Sequence, residues 1–315
     1  MLFSKELIDW YTIHKRSLPW RETNAPYIIW LSEIILQQTR VQQGLPYFLA
    51  FRDKFPTVNE LASASQDEVL KMWEGLGYYS RARNMHYAAR QVVEAYHGSF
   101  PYDYTNLIKL KGVGDYTASA VASISNNERV AVVDGNVFRV LSRVFGINEP
   151  INTNKGIKIF KDKANRLLPE DQTGTYNQAL MEFGALQCLP KNPHCATCPF
   201  ANRCHAFAND TQQQLPVKLK KTKVKTVYMN YLIPLDSSGN TLIAKRQGKG
   251  IWEGLFEFPL VTSNSSISKQ NIQDSAVFQN LVKKADYQLY LYNQQPKKHL
   301  LSHRKLLASF WIIEL

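Results

Sequence analysis

The stretch Leu110-Lys-Gly-Val-Gly-Asp-Tyr-Thr-Ala118 places two glycines, Gly112 and Gly114, around one apolar residue just before a predicted helix. Glycine permits positive φ and lets one backbone approach another closely. The amides at the N-terminus of the following helix then favour an anion in front of them. The stretch therefore fits a helix–hairpin–helix that binds a nucleic-acid backbone without reading sequence, although a Gly-x-Gly alone also suits a simple helix–helix turn.

Apolar residues on both sides of this hairpin recur at the spacing of amphipathic helices. The sets are Phe3, Leu7 and Trp10, then Trp30, Leu31, Ile34 and Ile35, then Val137, Val140, Leu141 and Val144. Proline and glycine residues separate the sets, as expected at helix ends. We therefore predict a mostly α-helical domain over residues 1–208.

Two carboxylates flank the hairpin in the sequence. If residues 26–40 are helical, three of the four i±3 and i±4 neighbours of Glu33 are apolar, and burial should raise its pKa. A raised pKa suits a general acid, although a rim glutamate paired with a lysine fits too. Asp134 precedes another predicted helix, where aspartate is a common N-cap. Cleaving an N-glycosidic bond needs one group to protonate the leaving base and another to stabilise the cationic sugar, and these two carboxylates can divide those roles.

All four cysteines lie close together, in the spacing Cys188-x6-Cys195-x2-Cys198-x5-Cys204. Such a cluster in a cytoplasmic protein is typical of a metal site rather than of a disulfide framework. Zinc ribbons usually contain two Cys-x2-Cys pairs, and this chain has one. Four thiolates at uneven spacing also suit an iron–sulfur cube, so the spacing alone leaves zinc and iron–sulfur open.

The composition changes after Asn209, where a polar, lysine-rich stretch leads to strand-like periodicity from Val227 onward. We predict a basic linker over residues 209–226, either near DNA or a solvated tether, and a smaller α+β domain over residues 227–315. The predicted elements of this domain are strands at 228–235, 241–245, 254–261 and 309–315 and a helix at 275–284.

The formal net charge of +12 favours a polyanionic partner, because lysine and arginine release counterions when they bind phosphates. The start of the chain lacks the apolar run of a signal peptide, and its most apolar stretch is too short to span a bilayer. We expect a monomeric, cytoplasmic protein at the bacterial nucleoid, with no membrane partner.

Four motifs extend the picture beyond the hairpin. They are Leu18-Pro-Trp-Arg21, Trp30-Leu-Ser-Glu-Ile-Ile-Leu-Gln-Gln-Thr39, Gly75-Leu-Gly-Tyr-Tyr-Ser-Arg81 and Asp134-Gly-Asn136. With the cysteine spacing, they resemble the MutY adenine DNA glycosylases of the endonuclease III superfamily, over residues 7 to about 225. The resemblance implies a helix–hairpin–helix glycosylase domain that excises adenine opposite 8-oxoguanine or guanine in duplex DNA. It also implies a [4Fe–4S] cluster, with the ligands Cys188, Cys195, Cys198 and Cys204.

The resemblance further implies roles for single residues. Glu33 would protonate the flipped adenine. Asp134 would stabilise the cation or attack C1′, supported by Asn136 and Tyr116. The adenine pocket would be lined by Arg16, Trp20, Arg21, Leu36 and Gln178. The opposite 8-oxoguanine would be contacted by Gln38, Thr39, Leu76 and Tyr78, and the DNA backbone by Gly112 and Gly114.

Tyr116 stands where bifunctional relatives carry a lysine that forms a Schiff base, so we predict a monofunctional glycosylase. Lys111 stands where the family usually has proline. A bifunctional pyrimidine glycosylase/lyase and a non-enzymatic DNA-binding protein with a structural cluster are the two alternatives.

The second domain resembles the Nudix-like C-terminal domain of the same family, most clearly at Trp252-Glu-Gly-Leu-Phe-Glu-Phe-Pro259. The acidic helix that binds Mg²⁺ in Nudix hydrolases has no counterpart in the sequence, so we expect recognition rather than hydrolysis. The family's Phe-Ser-His loop appears as Leu301-Ser-His303, which leaves Ser302 and His303 as the expected contacts to 8-oxoguanine.

Overall fold

The helical periodicity of the first two thirds of the chain is confirmed in the computed structural model, which describes residues 2–219, 224–248, 250–283, 285–301 and 304–315. The chain divides into two units, Met1–Leu219 and Lys220–Leu315. The described α-helices of the first unit are α1 (Leu2–His14), α2 (Pro26–Leu36), α3 (Val41–Lys54), α4 (Val58–Ser63), α5 (Gln66–Met72), α6 (Ser80–Tyr96), α7 (Tyr104–Leu107), α8 (Asp115–Asn126), α9 (Gly135–Phe145), α10 (Asn154–Arg166), α11 (Thr173–Leu186) and α12 (His205–Ala208). Short 3-10 helices cover Pro19–Arg21, Cys195–Thr197 and Ala201–Arg203.

Two hydrophobic cores stabilise the first unit. One lies among α2 to α8 and contains the fully buried Trp30 and Trp73. The other joins α1 to α9, α10, α11 and α12 and contains the fully buried Phe160 and Phe183. Helix α8 contacts both α2 and α11, so it connects the helices of the two cores. Of the described helices, none is long and apolar enough to cross a membrane.

The segment 209–219, which the sequence assigns to a linker, packs on the first unit. Leu215 is buried in the second core, and its carbonyl accepts a hydrogen bond from Arg143 Nε at 3.1 Å. The carbonyl of Val217 accepts another from the Ile151 amide at 3.0 Å. In the structure this segment therefore belongs to the first unit, and the lysines at 220, 221 and 223 lie outside the described residues.

The second unit is built on a mixed sheet. Its strands are β1 (Lys225–Leu235), β2 (Ala244–Lys245), β3 (Phe256–Glu257), β4 (Leu260–Ser263), β5 (Gln288–Leu291), β6 (Lys297–Leu300) and β7 (Arg304–Glu314), and its helices are α13 (Lys269–Gln273) and α14 (Ala276–Val282). The mixed sheet has the strand order β4-β1-β7-β5, with β6 also paired with β7. Strands β2 and β3 form a separate two-stranded sheet. β1 and β7 run parallel over their whole length, whereas the other pairs are antiparallel.

The predicted elements of the second unit are found with changed bounds. The predicted strands 228–235 and 309–315 are longer in the structure, as β1 and β7, whereas the predicted strand 241–245 is reduced to β2. After β1, the turn 236–240 is followed by one isolated bridge between Leu235 and Thr241. Within the turn, the Asp236 side chain accepts hydrogen bonds from the amides of Ser238 and Asn240. The predicted strand 254–261 is interrupted, with Pro259 between β3 and β4. The predicted helix 275–284 is α14, with the Ser275 side chain as its N-cap.

Candidate active site

Glu33 and Tyr116 meet where α2 packs on α8. The Tyr116 hydroxyl donates a hydrogen bond to Glu33 Oε2 at 2.7 Å, and Met181 Sδ lies 3.5 Å from the same hydroxyl. Burial raises the pKa of Glu33 to about 7; the bond from Tyr116 opposes this rise and the charge of Asp134 adds to it. The carboxyl is therefore available as a proton donor near neutral pH.

Asp134 is the N-cap of α9, as its place directly before a predicted helix indicates. Its carboxylate accepts hydrogen bonds from the Val137 amide at 2.7 Å and from Asn136 Nδ2 at 2.8 Å. Burial raises the pKa of Asp134, and these two bonds act against the rise. Because the Asp134 charge also acts on Glu33, the cap and the acid share one electrostatic environment.

The structure divides the two predicted supporting residues between the two carboxyls. Asn136 contacts Asp134, as expected, and Arg139 NH2 donates to the Asn136 amide oxygen at 2.8 Å. Tyr116, which the resemblance places in support of Asp134, donates its hydrogen bond to Glu33, and the charge of Asp134 also acts on it. The reason is its position on α8, which faces α2.

Arg16 and Arg21, which the sequence assigns to the adenine pocket, converge on a carboxylate that the sequence analysis missed. Arg16 Nε and NH2 lie 2.8 and 2.6 Å from the carboxylate oxygens of Glu182, and the two terminal nitrogens of Arg21 lie 3.0 and 2.9 Å from them. The Glu182 side chain is 1% exposed. Burial works to raise the pKa of Glu182, but hydrogen bonds from both arginines outweigh it and hold the value at about 2.

A helical signal could have found Glu182. It follows Gln178 by four residues on α11, so both side chains lie on one face. Gln178 Oε1 accepts a hydrogen bond from the Tyr11 hydroxyl at 3.2 Å. The arginines, Tyr11 and Gln178 therefore form one polar network around α11.

The other two predicted pocket residues are largely core residues in the structure. Trp20 is 8% exposed, and its ring stands edge-on to Phe48 at 5.0 Å between centroids. Leu36 is half-buried against the first core. A pocket role for either remains a prediction.

The predicted lesion-reading residues occupy two adjacent turns. Gln38 is exposed and Thr39 half-buried after α2, whereas Tyr78 is 49% exposed before α6. Leu76 is only 5% exposed and belongs to the first core, so its side chain is the least accessible of the four. The predicted Ser302 and His303 lie outside the described residues.

The two hairpin glycines serve different purposes. Gly112 has a φ of +78°, and a Cβ there would lie 2.7 Å from Asn84 Cβ, so glycine is required for both reasons given by the sequence. Gly114 has a φ of −98° and is the N-cap of α8. A Cβ at Gly114 would meet no described atom within 4 Å, so the space before the helix amides is open within the described residues.

The four cysteines are unpaired, and they influence one another electrostatically. Burial raises the pKa of the Cys188 thiol, and neighbouring Cys204 adds to the rise. The same two cysteines raise the pKa values of Cys195 and Cys198 after the effect of burial. Among the described residues, no three His, Cys, Asp or Glu side chains are placed to hold a single metal ion.

Comparisons with known proteins agree with this geometry. Residues 31–165 match the HhH-GPD superfamily of base excision DNA repair proteins. The adenine DNA glycosylase of Buchnera aphidicola subsp. Baizongia pistaciae is 36% identical over 286 residues, covering 86% of this chain and 80% of the relative. The Homo sapiens adenine DNA glycosylase is 42% identical over 223 residues, covering 68% of this chain and 41% of the relative.

Solved structures support the same fold. A thermostable thymine-DNA glycosylase is 29% identical, with a TM-score of 0.61, over 66% of this chain and 96% of that one. Endonuclease III in a non-covalent DNA complex is 19% identical, with a TM-score of 0.58, over 67% and 96%; at that identity it supports the fold alone.

Proposed function

Because this chain belongs to the adenine DNA glycosylase family of the helix–hairpin–helix superfamily, we propose that it excises adenine from duplex DNA by acid-assisted cleavage of the N-glycosidic bond. The observation that carries the proposal is the contact between Glu33 and Tyr116 beside Asp134. A carboxyl with a pKa of about 7 next to a second carboxylate is the arrangement that glycosidic cleavage requires.

The chain's own residues suffice for the chemical step. Adenine is flipped out of the stack, and the Glu33 carboxyl donates its proton to the base. The C1′–N9 bond breaks with its electron pair on adenine, and the hydrogen-bonded Asp134 carboxylate stabilises the positive charge left on the sugar. Water adds to C1′ and gives a proton to the Glu33 carboxylate, which restores the acid and yields free adenine and an abasic site.

We propose that the reaction stops at the abasic site. Efficient strand cleavage by a glycosylase of this superfamily needs an amine at the hairpin position, and Tyr116 is held there by Glu33. The polyanionic partner is duplex DNA, whose backbone would lie in the open space before Gly114.

We also propose that the favoured substrate carries 8-oxoguanine opposite adenine. Gln38, Thr39 and Tyr78 would contact the opposite base, and the exposure of Gln38 and Tyr78 supports this role. The second unit is proposed as a Nudix-like recognition domain. Ser302 and His303 of that unit would add contacts, as the family resemblance implies.

A [4Fe–4S] cluster is proposed on Cys188, Cys195, Cys198 and Cys204. Arg143 NH1 lies 3.5 Å from Cys188 Sγ and 2.6 Å from the Leu189 carbonyl, and Arg139 Nε lies 2.7 Å from the Cys188 carbonyl. When bound, the cluster would fix the loop that follows α11. Analysis of the purified protein should find about four iron and four acid-labile sulfide atoms per chain, and zinc in their place would contradict the proposal.

The activity is tested by single-turnover cleavage of duplexes that hold adenine opposite 8-oxoguanine, guanine or cytosine, with and without alkali. We expect strand breaks only after alkali, with the fastest release opposite 8-oxoguanine. Glu33→Gln should lower the rate by about 10²–10⁴-fold, whereas Glu94→Gln, an exposed position on α6, should not. No excision by the wild-type protein would favour a binding protein, an unchanged rate in Glu33→Gln would contradict the role of Glu33, and a borohydride-trapped adduct would favour a lyase.

A further inference from the structure

One half-buried guanidinium joins the two turns that carry the proposed lesion contacts. Arg81 lies in the first turn of α6, and its NH1 donates to the carbonyls of Ile34, Ile35 and Gln37 at 3.0, 3.0 and 2.5 Å. Its NH2 donates to the Gly77 carbonyl at 3.2 Å. The first set of acceptors is the C-terminus of α2, and the other lies in the turn before α6.

Two aromatic rings also lie close to the guanidinium of Arg81. Its guanidinium carbon lies 5.0 Å from the ring centre of Trp73 and 5.7 Å from that of Tyr78. Trp73 is fully buried, and its indole nitrogen also donates to the Gly77 carbonyl at 2.9 Å. The guanidinium therefore has one position available, and that position determines where both sets of carbonyls lie.

Both turns contain a non-glycine residue in the left-handed region. Gln38 has a φ of +56° and Tyr78 a φ of +49°. This conformation is unfavourable for a residue with a Cβ and persists only where its surroundings hold it. Arg81 binds the carbonyl immediately before each of them, Gln37 O and Gly77 O. A single side chain therefore holds both strained peptides.

We propose that Arg81 is a positioning residue for lesion recognition, which couples the two turns so that Gln38 and Tyr78 reach the base opposite adenine together. The inference rests on the proposed 8-oxoguanine specificity. Arg81 acts through the backbone carbonyls of Gln37 and Gly77, and its role is to set the direction of the exposed Gln38 and Tyr78 side chains. Loss of the coupling would leave general DNA binding and the Glu33 site intact and would weaken discrimination between opposite bases.

The experiment compares wild type, Arg81→Lys and the control Arg90→Lys, an exposed arginine on the same helix. Lysine keeps the charge but cannot span several carbonyls as a planar fork does. Dissociation constants are measured on duplexes that hold a non-cleavable 2′-fluoro adenosine opposite 8-oxoguanine or opposite thymine. The preference for 8-oxoguanine is the dissociation constant on the thymine duplex divided by that on the 8-oxoguanine duplex. We expect this preference to fall about tenfold in Arg81→Lys. The thymine duplex should stay within about twofold, and Arg90→Lys should match wild type.

An unchanged ratio in Arg81→Lys, or an equal weakening on both duplexes, would overturn the coupling while leaving the proposed function in place. A wild-type protein with no preference for 8-oxoguanine would overturn the proposed specificity itself, and the inference with it. Hydrogen exchange on wild type provides a second measurement that needs no variant. Amides of residues 37–39 and 76–79 should gain protection together on the 8-oxoguanine duplex, and protection of one turn alone would contradict the coupling.

Discussion

At the scale of single residues, the Glu33 carboxyl is governed by three neighbours that act in known directions. Burial raises its pKa to about 7, Asp134 adds to the rise, and the hydrogen bond from Tyr116 and the charge of Arg21 oppose it. A general acid acts in its protonated form, so excision should fall as the pH rises through about 7. The pH profile of excision therefore has a descending limb near pH 7. Each neighbour can be tested by substituting it and measuring whether this limb moves to higher or lower pH.

Tyr116→Phe should move that limb to higher pH. The substitution removes a donor that stabilises the ionised carboxylate and keeps the ring that excludes water. Single-turnover rates between pH 5 and 9 measure the shift. A limb that moves to lower pH, or a rate that falls equally at every pH, would contradict this account of the contact.

Glu33→Gln should stabilise the folded protein at alkaline pH. The folded carboxyl binds its proton more tightly than the unfolded one, so its stabilising contribution is complete below pH 4.5 and lost as the pH rises through about 7. The gain in unfolding free energy should therefore grow between these values, to at most about 3 kcal/mol. Urea denaturation at pH 5 and pH 8 measures it, and a gain that is larger at pH 5 would refute the assignment.

Glu182→Gln should shift the same limb to lower pH. Arg21 donates two bonds to Glu182 and also lowers the pKa of Glu33. Once the carboxylate is neutral, the charge of Arg21 acts on Glu33 without compensation. The variant should also lose about 2 kcal/mol of stability, because Arg16 and Arg21 both lose their carboxylate; the loss is smaller than for a fully buried pair because both arginines are partly exposed. Glu182→Asp should restore the limb partly, whereas an unmoved limb in Glu182→Gln would limit Glu182 to a structural role.

At the scale of elements, the close approach of α11 to the start of α9 sets the position of Asp134. A Cβ at Gly184 would lie 2.6 Å from Asn136 Cβ and 3.1 Å from its carbonyl, so the contact includes backbone that cannot move alone. The loop that carries Asp134 is therefore placed by a glycine on a helix that follows it by about fifty residues in the chain.

Two glycine substitutions should separate this effect from DNA binding. Gly184→Ala should destabilise the protein by about 1–3 kcal/mol and slow excision, because it displaces Asn136. Gly114→Ala should leave the melting temperature nearly unchanged and weaken duplex binding, because its Cβ would enter the open space before α8. Melting curves and dissociation constants on one duplex distinguish the two, and equal effects of both variants would contradict the interpretation.

At the scale of the whole molecule, each unit has a core of its own. The buried residues of the second unit, among them Leu232, Phe278 and Ile313, form a separate small cluster between the sheet and its helices. The first unit needs its last segment, since Leu215 fills the second core and accepts the hydrogen bond of Arg143. Composition placed the boundary at residue 208, and the packing of Leu215 and Val217 moves it to Leu219.

Two truncations should therefore behave differently. Residues 1–219 should fold and release adenine, with weaker discrimination of 8-oxoguanine from guanine in the absence of the second unit. The free energy of unfolding of residues 1–208 should be lower than that of residues 1–219 by about 2–4 kcal/mol, because the shorter fragment lacks buried Leu215 and the carbonyl that accepts the hydrogen bond of Arg143. Thermal unfolding of the two purified fragments measures the difference. Equal melting temperatures would show that the segment contributes nothing to the first unit.

The sequence by itself determined the helical first unit, the glycine hairpin, the cysteine spacing and the acidic pair Glu33 and Asp134. Each helix, the hairpin and the cysteine loop is encoded by residues close together in the chain, where periodicity and backbone preference decide the structure, and Glu33 and Asp134 are each identified from their own local sequence. The apolar neighbours of Glu33 on its own helix predict the direction of its pKa shift, and the packing of α8 on α2 adds Tyr116 to its surroundings.

Only the tertiary structure decided which side chains meet. Arg16 and Glu182 are 166 positions apart, Tyr116 and Glu33 are 83 apart, and Arg81 binds a carbonyl 44 positions before it. No local pattern specifies such contacts, because they depend on how the helices pack and on which buried polar group needs a partner. The same packing drew residues 209–219 into the first unit, although their composition alone is typical of a linker.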